Sequence, residues 1–202
     1  MLRYAAVLLL YLAVLPISAL EAIDPAAVPP INNVPAITEA PPGGDFTLNS
    51  ADGPVSLADF RGRLVFLFFG YTKCPDVCPT SLSYLNKALN GLTDDEQKQV
   101  GALFVSVDPK RDSLDTLKEY AGYFHPNIVG VTGSDTEIAA VADLYGARYY
   151  EVDLDGSEFG YAVNHSAVTY LITQDGVLRF IFPHMTPSQV MVDAVRHLLA
   201  GN

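Results

Sequence analysis

The sequence predicts an α/β domain: a central mixed sheet with helices on both faces and an N-terminal β-hairpin extension. Two continuous apolar runs, residues 64–69 (LVFLFF) and 102–107 (ALFVSV), have the composition of strands buried on both faces. Apolar residues at helical spacing lie between and after these runs, and a second hairpin pattern followed by a last helix closes the chain. Apolar strands alternating with helices bury a sheet between helical layers.

Taken in order, residues 45–50 and 54–57 read as a hairpin around Asp52-Gly53. After the first buried strand, residues 81–92 place Leu82, Leu85 and Leu89 on one helical face. Residues 114–124 and 137–145 follow the same spacing, with a short strand between them. Thr93 with Glu96, Ser134 with Glu137, and Thr186 with Gln189 each match a capping box. Pro187 suits the first helical position after Thr186, where a missing N–H costs nothing, and this helix runs to Leu199. Residues 167–173 and 177–182 flank Gln174-Asp175-Gly176 as a hairpin. Buried strands with intervening helices, then an antiparallel hairpin and a C-terminal helix, form the thioredoxin-like arrangement.

The chain has 202 residues, which suits one domain plus an extension. Residues 1–22 read as a signal peptide or membrane anchor: a positive start at Arg3, an apolar run over 4–17, then small residues at Ser18, Ala19 and Ala22. The run is short for a membrane span, which needs about 20 residues. The protein is therefore expected to be exported, to the periplasm, either soluble or anchored to the inner membrane. Residues 23–44 are rich in Pro and Ala without apolar period and read as a linker. Residues 45–202 are expected to form the folded domain. A net charge of −11 repels phosphates and argues against a nucleic-acid partner.

Cys74 and Cys78 are the only cysteines. A bridge between residues four apart constrains little of the unfolded chain, so a structural disulfide explains the pair poorly. In an oxidising compartment a redox or metal role explains it better. The segment GYTKCPDVCPTSL leads from the first buried strand into a helix. Pro79 is expected at the first helical position with Cys78 as N-cap, since a helix begun at Pro75 would place the Pro79 ring against a carbonyl. Both sulfurs then face a helix N-terminus, whose free amides stabilise thiolates.

Two thiolates prefer copper(I), zinc or iron–sulfur chemistry. Iron–sulfur clusters usually need four cysteines, and closed zinc sites four ligands. Two thiolates and one imidazole suit copper. Of four histidines, His165 lies just before a strand, where a thioredoxin-like sheet brings the preceding loop to the cysteines. His125 beside Pro126 is expected to face solvent, and His197 to lie in the last helix. His184 with Met185 is a further soft pair, expected in a loop without a metal role. After the second strand, Asp108, Pro109, Arg111 and Asp112 are expected to form a turn with Asp112 as helix cap; Asp108 and Arg111 are alternatively partner contacts or supports for the metal loop.

The segments FFGYTKCPDVCPTSL, FVSVDPKRDS, VGVTGS, NHSAVTYLIT and QDGVLRF, in this order, resemble the Sco/SenC family of copper chaperones from about residue 45 to the C-terminus. The resemblance implies a thioredoxin-like fold and a role in loading the dinuclear copper centre of cytochrome c oxidase subunit II. It also implies Cys74, Cys78 and His165 as ligands to copper, as Cu(I), Cu(II) or both. Many members have His in place of Lys73 and Asp in place of Asn164; neither departure removes a ligand.

The leading expectation is a copper metallochaperone whose partners are the oxidase subunit, other copper carriers and a thiol reductant that keeps the pair open. The alternative is a thiol–disulfide oxidoreductase that reduces the subunit's cysteines, although three residues separate this pair where thioredoxin has two. A peroxidase of peroxiredoxin type ranks lower, and a copper- or redox-sensing role stays open.

Overall fold

A computed structural model describes residues 41–154 and 160–201. The expected signal or anchor (1–22) and all but the last four residues of the expected linker (23–44) lie outside them. Among the described residues no helix is long and apolar enough to cross a membrane.

β1 (Thr47–Ser50) and β2 (Gly53–Ser56) form the expected N-terminal hairpin. Ser50 pairs with Gly53, so the two turn residues are Ala51 and Asp52, one position earlier than expected. Gly53, at φ +120°, takes a backbone conformation that residues with a Cβ avoid. A 3-10 turn (Leu57–Phe60), capped by Ser56, leads to β3 (Leu64–Gly70). Then follow α1 (Val77–Asn90), α2 (Asp94–Gln97), β4 (Val100–Ser106), α3 (Leu114–Phe124), β5 (Ile128–Val131) and α4 (Asp135–Leu144). β6 (Tyr149–Asp153) and β7 (Tyr161–His165) pair with each other, before β8 (Thr169–Ile172), β9 (Leu178–Phe182) and α5 (Ser188–Leu199).

The main sheet has the order β5-β4-β3-β8-β9. β3 runs parallel to β4 and antiparallel to β8, so the sheet is mixed, as expected. Every residue of β3 and β4 is buried, as their apolar runs require. Alternate β3 side chains serve opposite layers. On one face Phe68 stacks on Phe104, which meets Tyr120 of α3, and Gly70 faces Cys78 of α1. α5 joins this layer, where Ser188 Oγ donates to the Tyr84 carbonyl of α1. On the other face Phe69 packs against Tyr170 and against Tyr145 at the end of α4. Helices thus cover both faces, and the fold is thioredoxin-like.

Local rules decided several boundaries differently from expectation. α1 starts at Val77, with Asp76 rather than Cys78 as N-cap. Pro79 is then the third helical residue. Its missing N–H is still one of the unpaired first-turn groups, and the carbonyl four residues back lies outside the helix. The cap of α3 is Ser113, whose Oγ accepts from Thr116 N–H, not Asp112. The boxes at Thr93–Glu96 and Ser134–Glu137 form as expected. The Thr186–Gln189 box does not: α5 begins at Ser188, and Thr186 Oγ1 donates to the Pro183 carbonyl instead. His125, expected in solvent, is buried, with Nδ1 accepting from Asn127 N–H. The domain also makes contact earlier than residue 45, since Gly43 N–H donates to the Leu144 carbonyl and Tyr145 Oη to that of Gly44.

Candidate metal centre

Two separate pieces of chain build the centre at the C-terminal edge of β3: the continuous run from β3 through the cysteine loop into α1, and β7. The loop from Tyr71 turns back at once, with Cys74 N–H donating to the Tyr71 carbonyl. Cys74 is left half-buried at the mouth of the loop, and Cys78 is fully buried in the first turn of α1. The Cys78 N–H, one of the helix's unpaired amides, points at Cys74 Sγ at 3.4 Å. This is the amide-to-sulfur contact that a helix N-terminus offers a thiolate.

Gly70 makes room for the inner sulfur. A Cβ at this position would lie 2.7 Å from Cys78 Sγ and 2.9 Å from the Phe104 ring. No side chain fits between them, so the strand ends in glycine where the helix must come close.

His165 arrives from β7, which is not part of the main sheet. Its Nε2 lies 3.2 Å from Cys78 Sγ. Its Nδ1 lies 3.1 Å from the Ser166 carbonyl, which can only accept; a proton held there leaves the Nε2 lone pair for a metal ion bound by the sulfurs. The ring stands edge-on to Phe68 and Tyr71, at 6.0 and 5.8 Å between centroids. The ligand atoms of Cys74, Cys78 and His165 all lie within 4.8 Å of one another. Among the described residues no further Cys, His, Asp or Glu joins this group.

The two sulfurs differ sharply in acidity. The Cys78 thiol beside it, then His165 and the backbone N–H groups of Asp76 and Cys78, hold the Cys74 thiol down at about 3. Burial pushes Cys78 up, and the neighbouring Cys74 sulfur adds to the rise. The pair therefore releases its first proton from Cys74, with Cys78 donating its own toward the resulting thiolate. A cation that replaces this shared proton meets two sulfurs and a neutral imidazole, a soft donor set that fits copper(I).

The three residues singled out from sequence converge. His184 does not join them: its Nδ1 is paired with Ser81 Oγ at 2.9 Å, one turn along α1 from Cys78. Lys73 is exposed on the loop. Asp112, expected as a cap, instead holds the metal loop. Its buried carboxylate accepts from Thr72 N–H (3.0 Å), Thr72 Oγ1 (2.5 Å) and Ser106 Oγ (2.6 Å). Asp108 and Arg111 pair with each other beside Tyr161. Thr72, Tyr71 and Tyr161 were not foreseen as supports, because nothing local in the sequence links residues so far apart.

Comparison with known proteins agrees with this geometry. The SCO1/SenC family model matches residues 35–200. The SCO2-like protein of Rickettsia felis is 35% identical over 151 residues, 74% of this chain and 73% of that protein. The crystal structure of Arabidopsis thaliana ScoI with copper bound is similar at a TM-score of 0.72 and 33% identity, covering 79% of this chain and 99% of that one. Apo Sco1 from Thermus thermophilus gives 0.71 at 35% identity, over 80% and 94% of the two chains. Matched in sequence across its folded domain and in architecture to these structures, the chain belongs to the SCO1/SenC family.

Proposed function

We propose that this protein is a copper metallochaperone that holds one copper ion between the Cys74 and Cys78 thiolates and the His165 imidazole. The convergence of these three ligand atoms within 4.8 Å is the observation that carries the reading. Relatives support it, since the Arabidopsis neighbour and yeast Sco1 both have structures with copper bound. The recipient proposed is the dinuclear copper site of cytochrome c oxidase subunit II, with other copper carriers as donors.

Cys74 supplies a thiolate already formed at neutral pH, and it is the more accessible sulfur. Copper as cargo reaches this residue first and displaces the Cys78 proton to gain the second sulfur. Release also begins at the accessible side, with a recipient's ligands replacing the outer thiolate of Cys74 before the buried one of Cys78, which takes its proton back. A Cys74–Cys78 disulfide has no thiolate to offer, so a thiol reductant must keep the pair open. The protein is proposed to work after export, in the periplasm, free or held at the inner membrane by residues 1–22.

The acidity of Cys74 also favours a second reading, a thiol–disulfide oxidoreductase acting on the oxidase subunit. Reduced protein titrated with copper(I) separates the two. The chaperone binds one ion per chain and loses affinity when His165 is replaced; an oxidoreductase keeps its exchange activity in that variant.

A further inference from the structure

Resting on the copper-site reading, we infer that the turn over residues 108–112 is the positioning element of the centre, with Arg111 acting through Tyr161 to hold His165 at the sulfurs. His165 is carried by the β6–β7 hairpin, a two-stranded sheet separate from the main one. Its ring reaches Cys78 only if β7 is held against the loop that carries the cysteines. The inward residues of β7 are Tyr161, Val163 and His165, and each is tied at a different point.

Tyr161 carries the most ties. Arg111 Nη1 donates to its carbonyl at 2.8 Å, and the Arg111 guanidinium lies over its ring at 3.6 Å. Tyr161 Oη donates to Asp108 Oδ1 at 2.7 Å, while the other Asp108 oxygen accepts from Arg111 Nε. Arg111 also faces the Tyr71 ring, at 5.6 Å, and Tyr71 Oη accepts from Val163 N–H at 3.3 Å. Tyr71 opens the cysteine loop.

The same turn grips the other half of the centre. Asp112, next to Arg111, binds Thr72 through both its N–H and its hydroxyl. One short turn thus fixes the segment two residues before Cys74 and the strand four residues before His165. Asp108 and Asp112 are buried, as is most of the Arg111 side chain, so water scarcely competes for these contacts. Only arginine can lie flat on an aromatic ring while sending separate N–H groups to a carboxylate and a carbonyl.

The test compares Arg111→Ala, His165→Ala, the double variant and Tyr161→Phe, all as reduced full-length protein. The readouts are copper(I) affinity by chelator competition, the thiolate-to-copper(II) absorption band, and the His165 ring signals of metal-free protein by NMR. Arg111→Ala is expected to weaken copper binding about 10- to 100-fold, the range for residues that orient a ligand. It is also expected to move the His165 signals and the absorption band, and to cost nothing further in copper affinity once His165 is Ala. Tyr161→Phe, which keeps the ring and loses only the Asp108 bond, is expected to shift the same signals by less; it stands in for Arg111→Ala if that variant does not fold. Unchanged His165 signals in the folded variants would overturn the inference. So would an equal loss of affinity with and without His165. If His165→Ala alone binds copper like the wild type, the copper-site reading itself fails, a result that the single variant distinguishes.

Discussion

Cys78 Sγ and His165 Nε2 meet at 3.2 Å although 87 positions separate them in the chain. Neither is on the outer surface of the sheet, and neither reaches the other through local structure. The contact exists because β3 delivers the cysteine loop to the same edge at which β7 ends.

The acidity of Cys74 sets its reactivity. Its folded-state acidity lies at about 3, far below the ordinary thiol value near 8.5. Between these values the folded protein holds a thiolate where an unfolded chain holds a thiol. Stability from this source is full above the unfolded value and is lost as pH falls through about 3. Alkylation of reduced, metal-free protein should therefore label Cys74 at a rate nearly independent of pH across the weakly acidic and neutral range. Buried Cys78 should resist until the fold is opened. A labelling rate that rises with the profile of a free thiol would contradict the prediction.

Gly70→Ala should disturb the centre from behind. The added Cβ would meet Cys78 Sγ at 2.7 Å and Phe104 at 2.9 Å, and both neighbours are packed in the core. Overpacking of this kind costs about 1–3 kcal/mol. Urea denaturation should show the loss, and the variant should bind copper more weakly because the inner sulfur is displaced.

Asp112→Ala should cost about 1–3 kcal/mol, since three donors in or near the core lose their acceptor together. Asp112→Asn should cost less, because its amide oxygen can still accept from Thr72. A loss equal to that of Ala, measured by denaturant midpoint, would show that charge rather than acceptor geometry matters at this position.

The main strands were legible because both faces of β3 and β4 are covered, which leaves an unbroken apolar run in the sequence. Two of the three capping boxes were legible for the same reason of locality. The cysteines showed themselves through their spacing and their position after a buried strand. Pro79 misled, because a proline is tolerated anywhere in the first turn and so does not fix which residue is the cap. Asp112 and Ser113 are adjacent cap formers; burial beside Thr72, invisible in sequence, gave Asp112 its other task. The β6–β7 hairpin also escaped notice. β6 is exposed or half-buried along its length, which leaves no continuous apolar run to mark it. The clamp around Arg111 depends on that hairpin and was equally hidden.

His184 should prove dispensable for copper. Its ring is engaged with Ser81, outside the three-residue group. His184→Ala should cost about 1 kcal/mol of stability for the lost bond. Its copper affinity by chelator competition should match the wild type; a marked loss would place a fourth ligand at the centre.

The most direct measurement is copper(I) binding by reduced protein, with and without His165. The wild type should take up about one ion per chain, as three converging soft donors imply. His165→Ala should fold normally, judged by circular dichroism, and bind at least about a hundredfold more weakly, since it loses a ligand rather than a ligand's support. Undiminished affinity in a folded His165→Ala protein would contradict the account and leave the two cysteines as a redox pair.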